Sequence, residues 1–177
     1  MKIATTLILM APLWAQIPVR SANVVTTGDR QSSAQSPLHE VEKRLDAKLS
    51  IIGGADPVDV VGYTRALYLE GYGTVLTAEM DLVRTPVPTP FHQTISPAEK
   101  TTVHQHKVTN LAQLKKTMQE MWQDAAANLT SQPDNEQVVL AVRLFYRSWE
   151  DMTGLPEQIV MKGTRKGGLA GVQTEEK

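Results

Sequence analysis

The sequence predicts an α+β fold: an antiparallel sheet of about four strands built from two hairpins, with a short N-terminal helix and one long helix packed on one face. Apolar residues recur at helical spacing in residues 37–50 and 97–130. Apolar and polar residues alternate on both sides of Gly71 and Tyr72, and they alternate again through residues 136–146. The order helix, hairpin, long helix, hairpin is typical of α+β architecture.

The composition is that of one globular domain with polar ends. The chain has 177 residues, of which 41% are hydrophobic, which is enough to form a single core. Residues 37–163 are predicted to form the domain, with a flexible lead over residues 16–36 and a flexible tail over residues 164–177. A net charge of −1 gives no electrostatic footprint for nucleic acid, and the lack of cysteine excludes disulfides and thiol chemistry.

The first fifteen residues have the pattern of a secretory signal peptide. Lys2 precedes an apolar run from Ile3 to Ala15 that contains no charged residue. This run is shorter than the stretch of about 20 residues that crosses a bilayer, and Pro12 argues against a buried N-terminal helix. We therefore expect residues 1–15 to be removed, the mature protein to be periplasmic or secreted, and no transmembrane segment to remain after cleavage.

The first predicted helix begins near Pro37. Ser36 has the character of an N-cap, and proline is favoured at the first helical position that follows it. Its apolar residues share one face: Leu38, Val41, Leu45 and Leu49. The sequence therefore predicts a short amphipathic helix.

The stretch YLEGYG, residues 68–73, predicts a hairpin turn. Glycine at the first central position of a type II′ turn accommodates a positive φ, which would make Gly71 and Tyr72 the central residues. In that register Leu67 lies opposite Leu76 on an apolar face, and Tyr68 lies opposite Val75 on a polar one. A nucleotide-binding loop is disfavoured, because the residues after Gly73 alternate as in a strand and open no helix.

A proline-rich connector, residues 84–91, leads to the long helix. Ser96 and Glu99 form a capping box that marks its start, and an apolar stripe runs from Leu111 to Leu129. Thr109 and Asn110 are weak helix formers, which predicts a bend or a break at that point.

Two strands are expected after the long helix. Residues 136–146 read as a central strand, and residues 157–163 as a shorter one. Glu79 and Asp81 should share the polar side of the preceding hairpin, where Arg143 offers a partner. An open sheet face favours a solvated ladder of ion pairs over a pair of catalytic carboxylates.

Three histidines are the candidate metal ligands: His92, His104 and His106. Two histidines separated by one residue share a face only on an extended chain, and on a helix they point about 200° apart. Because the capping box places His104 and His106 on the long helix, structural roles are favoured. A small metal-assisted hydrolase that uses the three histidines is the alternative.

A small basic cluster lies near the C-terminus. Lys162, Arg165 and Lys166 fall within five positions, beside several glycines. They could contact a phosphate or a polyanionic wall polymer, but no aromatic residues are interleaved with them. A solubilising tail explains the cluster equally well.

Three segments resemble parts of uncharacterised exported bacterial proteins that have no assigned activity. They are YLEGYGTVLTAEMDL at residues 68–82, SPAEK at residues 96–100 and GLPEQIVM at residues 154–161. The matching features are turns and caps, not catalytic signatures. The resemblance implies an independently folding exported module and transfers no site residues.

The leading functional expectation is a non-catalytic exported module that binds a protein partner or envelope component. Its expected contact surface is the outer face of the hairpin, where Tyr68, Val75 and Phe145 interrupt polar residues. No catalytic, cofactor-binding or metal-binding residue is assigned. The competing classes are the metal-assisted hydrolase and a structural subunit that assembles through the hairpin edge.

Overall fold

The computed structural model describes residues 28–54, 56–85 and 94–177, with residues 28–36 described as helix backbone only. The helices and strands in these ranges are α1 (Gly28–Ser50), β1 (Asp59–Val60), β2 (Arg65–Leu69), β3 (Gly73–Asp81), α2 (Pro97–Asn128), β4 (Gln137–Leu144), β5 (Gln158–Thr164) and β6 (Gln173–Glu176). Two short 3₁₀ helices, Arg165–Gly167 and Leu169–Gly171, lie between β5 and β6. None of the described helices is long and apolar enough to cross a bilayer.

The six strands form one mixed sheet, which confirms the α+β class and corrects the predicted sheet. The strand order is β1-β3-β4-β5-β6, and β2 pairs with β3 as well. All pairs are antiparallel except β3 and β4, which are parallel. Parallel neighbours require a crossover connection, and the segment that contains α2 supplies it. The wholly antiparallel sheet of four strands is therefore wrong in strand number and in its central pairing.

The core lies between one face of the sheet and the two helices. Both predicted helical stripes are buried, and they pack against alternate residues of β3, β4 and β5. Trp122 is 1% exposed, and its indole Nε1 donates a hydrogen bond to the carbonyl oxygen of Val138, 2.9 Å away. This contact ties the C-terminal part of α2 to the start of β4.

Helix α1 begins earlier than predicted. Its backbone is helical from Gly28, so Pro37 lies inside the helix and Ser36 is not its N-cap. The predicted flexible lead over residues 16–36 is corrected for residues 28–36, and the rest of it lies outside the described residues, as does the predicted signal peptide. A segment without an apolar stripe can extend a helix that is already nucleated, because propagation is easier than nucleation.

The carboxylates of α1 cover the free edge of β2. Glu42 accepts a hydrogen bond from the backbone N–H of Ala66 at 2.8 Å, and Asp46 accepts one from the N–H of Thr64 at 2.7 Å. These donors would otherwise be unpaired along the sheet edge. Helix α1 therefore covers the core and also blocks this edge.

Helix α2 starts as predicted and runs without a break. The capping box is present: Ser96 N–H donates to Glu99 Oε2 at 2.7 Å, and Glu99 N–H donates to Ser96 Oγ at 3.3 Å. Asn110 does not end the helix, because its buried amide donates to the carbonyl oxygens of Leu82 and Asp56 at 2.7 and 3.2 Å. Tertiary hydrogen bonds therefore compensate for weak local propensity.

The hairpin between β2 and β3 is confirmed, but its register differs by one residue. Leu67 lies opposite Val75 and Tyr68 opposite Thr74, so the loop has three residues instead of two. Glu136 gives the physical reason, because its Oε1 accepts hydrogen bonds from the Gly71 N–H and the Tyr68 hydroxyl, each at 3.2 Å. The slip turns Tyr68 toward the helices and exposes Leu67.

The predicted flexible tail over residues 164–177 is corrected. Residues 173–176 form β6 and pair with β5, and Lys177 exchanges backbone hydrogen bonds with Gln158 at 3.0 and 3.1 Å. The side chains of β6 are all exposed. No apolar pattern could therefore reveal a strand that is held by its backbone.

Candidate functional site

The sheet face opposite α1 and α2, here called the outer face, carries no covering element among the described residues. Register assigns its members by alternation with the core residues. They are Arg65, Leu67 and Leu69 of β2; Val75, Thr77 and Glu79 of β3; Val139, Ala141 and Arg143 of β4; Gln158, Val160 and Lys162 of β5; and Gln173 and Glu175 of β6. This face can therefore be reached from solvent.

One end of the outer face carries an apolar patch, defined here as Leu67, Leu69 and Tyr72. Their exposed fractions are 60%, 43% and 41%. Tyr72 leans across the sheet, where the Nζ of Lys162 lies 5.9 Å from the centre of its ring. Monomeric proteins rarely leave several large apolar side chains exposed together, and such patches mark interaction surfaces.

Beside this patch lies a depression, here called the cross-strand groove. Its floor includes Thr77 and Ala141, which are adjacent on β3 and β4 and have small side chains. Its rim is the irregular chain between β1 and β2, where Gly62 has a φ of +81° and the N–H of Val61 donates to the Glu79 carbonyl at 2.8 Å. The charged side chains that line the groove are those of Arg65, Glu79 and Arg143.

The charged groups of the groove are not neutralised in pairs. Among the described residues, Arg65 and Glu79 form no ion pair or side-chain hydrogen bond, and Arg143 contacts only the Phe145 ring, at 5.4 Å. Glu79 and Arg143 are register partners, as the sequence suggested, but the predicted ladder of ion pairs does not form. Two guanidinium groups and one carboxylate therefore leave the groove positive.

The predicted contact surface is corrected in one residue. Val75 lies on the outer face and is half-buried, and Phe145 supports Arg143 there. Tyr68 instead packs against the core, and its partial burial together with the hydrogen bond to Glu136 raises its pKa. The one-residue slip of register explains this, because it exchanges the two faces of β2.

The histidines do not converge. His104 donates from Nδ1 to the carbonyl oxygen of Asp151 at 2.9 Å, whereas His106 faces Asp56, with Nδ1 3.5 Å from Oδ2. His92 lies outside the described residues. Within residues 28–54, 56–85 and 94–177, no group of three or more acidic or histidine side chains is arranged to hold a metal ion.

The basic cluster also separates in the fold. Arg165 donates from Nε to the carbonyl oxygen of Ala126 at 2.9 Å and pairs with Asp134 at 3.2 Å, so it caps the end of α2. Lys162 lies on the outer face beside Tyr72. The cluster therefore forms no common anion site.

Sequence reasoning missed a buried charged cluster around Lys107. The Nζ of Lys107 pairs with Asp81 at 2.7 Å and with Glu150, and it lies 4.8 Å from the centre of the Tyr146 ring. Thr85 donates to Asp81 Oδ2 at 2.9 Å and also contacts Glu150. The only available signal was a lysine on the predicted apolar side of α2, because its partners are distant in sequence.

The Lys107 cluster is closed to solvent and internally satisfied. Lys107 is 0% exposed, and the side chains of Asp81 and Glu150 are 9% and 2% exposed. Burial, with a further contribution from Glu150 and Asp81, raises the pKa of the Tyr146 phenol. The cluster holds α2, the end of β3 and the connection between β4 and β5 together.

Comparison of the chain with protein-family models, curated proteins and solved structures finds no match.

Proposed function

We propose that this chain is an exported, non-catalytic module, periplasmic or secreted, that binds a protein partner through its outer face. The observation that carries the proposal is the apolar patch, where three large side chains are exposed on a sheet face that no described element covers. Aromatic residues and arginine are enriched in the centres of protein interfaces, and this face has both.

The polar groups of the described residues support a binding role over catalysis. Activated groups need a cleft in which substrate can reach them. Lys107 and its carboxylates are sealed from solvent, and His104 and His106 contact different parts of the chain. The outer face is accessible, but it holds no nucleophile paired with a base.

Export is proposed from residues 1–15, in keeping with the resemblance to exported bacterial proteins. The mass of the protein recovered from the periplasm or medium should correspond to a chain that begins at Gln16. Leu7→Arg should keep the uncleaved chain in the cytoplasm, because a charge interrupts the apolar run. Recovery of intact residues 1–177 outside the cytoplasm would contradict cleavage.

Partner binding is tested with a photo-crosslinking amino acid placed at position 67 or at position 108. Leu67 is 60% exposed in the apolar patch, and Val108 is 45% exposed on α2, away from the outer face. In intact cells, position 67 should give a discrete adduct that position 108 does not give. Leu67→Asp should abolish adduct formation from a crosslinker at Tyr72, whereas Val108→Asp should not.

Equal labelling from positions 67 and 108, or no adduct from position 67, would reject the outer face as the binding surface. The two substitutions are matched, since each places a carboxylate at a site that is already exposed. Circular dichroism of both variants should be the same as that of the parent protein.

A further inference from the structure

We infer that the cross-strand groove binds an extended, acidic segment of the partner, with partner carboxylates seated on Arg65 and Arg143. This inference rests on the proposed function, and it adds the chemical character of the partner. It depends on the unneutralised charge of the groove, the shape of its floor and the separation of its two arginines.

The charge of the groove favours an anionic complement. Arg65 and Arg143 have no carboxylate partner among the described residues, and guanidinium groups form strong, bidentate hydrogen bonds with carboxylates. Contact with the Phe145 ring restrains Arg143 and leaves its donors available. A carboxylate that fills this place gains charge-assisted hydrogen bonds without breaking an existing ion pair.

The spacing of the arginines selects an extended segment with more than one carboxylate. Arg65 is on β2 and Arg143 on β4, so two strand spacings, about 10 Å, separate their strands. One carboxylate cannot engage both groups with short hydrogen bonds. A single chain-terminal carboxylate therefore fits less well than two acidic side chains on one segment.

The floor of the groove admits a polypeptide backbone. Thr77 and Ala141 are small and adjacent, and Gln158 on β5 marks the far side. From β2 to β5 the groove crosses three strand spacings, about 14 Å, which is the length of about four extended residues. The apolar patch begins at Leu67, two residues from Arg65, so apolar side chains that flank the acidic residues would be buried there.

The test is a titration of the ¹⁵N-labelled full chain, followed by the side-chain Nε–Hε resonances of arginine and the backbone amides. The probe is an equimolar mixture of hexapeptides with acetylated N-termini and amidated C-termini. Each peptide has glutamate at two of its six positions and leucine, tyrosine or valine at the other four. The mixture contains every placement of the two glutamates. The matched probe has glutamine in place of glutamate. We expect the acidic mixture to shift Arg65, Arg143, Thr77 and Ala141, and the neutral mixture to cause shifts at least fivefold smaller.

Variants separate charge from geometry. Arg143→Gln should weaken apparent affinity for the acidic mixture at least fivefold, and Arg143→Lys should weaken it to a lesser extent because lysine keeps the charge but loses bidentate geometry. Arg147→Gln is the control, since Arg147 is exposed outside the groove.

Equal shifts with both mixtures, shifts confined to other surfaces, or unchanged affinity in Arg143→Gln would each overturn the inference. Stronger shifts with phosphatidylglycerol vesicles than with the acidic mixture would also overturn it, in favour of a lipid surface. If position 67 still crosslinks while the acidic mixture fails to bind, the proposed function stands and only the partner's acidic character is rejected. If position 67 gives no adduct and the acidic mixture does not bind, both the proposed function and this inference are rejected.

Discussion

At the scale of single residues, the dominant feature is a lysine enclosed by two carboxylates. Charges removed from water are tolerated only where opposite charges and hydrogen bonds compensate for lost hydration. Lys107 receives that compensation from Asp81, Glu150 and the Phe145 carbonyl oxygen, 3.4 Å away. Removal of one member of the cluster would therefore leave the others buried and uncompensated.

Lys107→Met should lower the free energy of unfolding by about 3–5 kcal/mol, because two buried carboxylates would then lack a cation. Combination with Asp81→Asn and Glu150→Gln should restore a large part of that loss. Urea denaturation at pH 7 measures both effects. Lys115→Met is the matched control, since Lys115 pairs with Glu176 at 2.7 Å in an exposed position and should cost less than about 1 kcal/mol.

Tyr146 should make stability sensitive to alkali. Its phenol donates to the Pro156 carbonyl oxygen at 2.7 Å, and burial raises its pKa above the unfolded value of about 10. The stability that the buried, neutral phenol of Tyr146 contributes is complete below pH 10. It is lost as pH rises toward the folded pKa, because the unfolded state then releases a proton that the folded state retains.

Urea denaturation between pH 8 and pH 11 checks this prediction. The parent protein should lose stability above pH 10 more steeply than Tyr146→Phe, which lacks the ionisable hydroxyl. The two proteins should show the same slope with pH below about pH 9. Identical slopes throughout the range would show that Tyr146 ionises equally easily in both states.

At the scale of elements, α1 protects the sheet as well as covering the core. The carboxylates of Glu42 and Asp46 accept hydrogen bonds from the N–H groups of Ala66 and Thr64 along the outer edge at β2. Without these acceptors, the edge could pair with another strand. The two acidic residues lie one helical turn apart. This spacing matches that of N–H groups two residues apart along a strand. An amphipathic helix can therefore close a sheet edge with its polar side chains.

Replacement of Glu42 and Asp46 together by alanine should expose this edge. Amide exchange at Thr64 and Ala66 should accelerate about tenfold or more, because a hydrogen bond to a charged acceptor contributes about 1.5–3 kcal/mol. Hydrogen exchange by NMR measures this, and sedimentation should show self-association at high concentration. Glu40→Ala is the control, since Glu40 contacts only exposed Lys43 at 3.4 Å.

The element that sequence placed least accurately was the hairpin turn. Both glycines and the alternation of apolar residues agreed on a two-residue loop, and local chemistry gave no reason to prefer three residues. The deciding group is Glu136, which precedes β4 and reaches back to Gly71 and Tyr68. Register was thus set by a tertiary contact that no local pattern contains.

At the scale of the whole molecule, periodicity predicted the class of fold and most of the core. The stripes on α1 and α2, the capping box at Ser96 and the central position of β4 are all present. Each of these depends on burial or local capping, which leaves a mark in the sequence. The parallel pairing of β3 with β4 depends on topology, and the attachment of β6 depends on backbone hydrogen bonds. Neither produces a recognisable pattern in the sequence.

The candidate site was predictable in outline only. The sequence indicated an outer sheet face as the contact surface, and Val75 and Phe145 lie there. The cross-strand groove could not be foreseen, because its rim arises from the irregular chain at Gly62 and its arginines come from strands that are not neighbours. The exposure of Leu67 followed only from the corrected register.

The parallel pairing of β3 with β4 also governs when the chain can fold. Strand β3 obtains its inner neighbour only after the whole of α2 and residues 137–144 have been synthesised. Until then the hairpin of β2 and β3 has only α1 to pack against, and pairings so distant along the chain form slowly. Under the proposed export, this delay would help the chain to pass a secretion channel unfolded, because the sheet stays incomplete until β4 has been made.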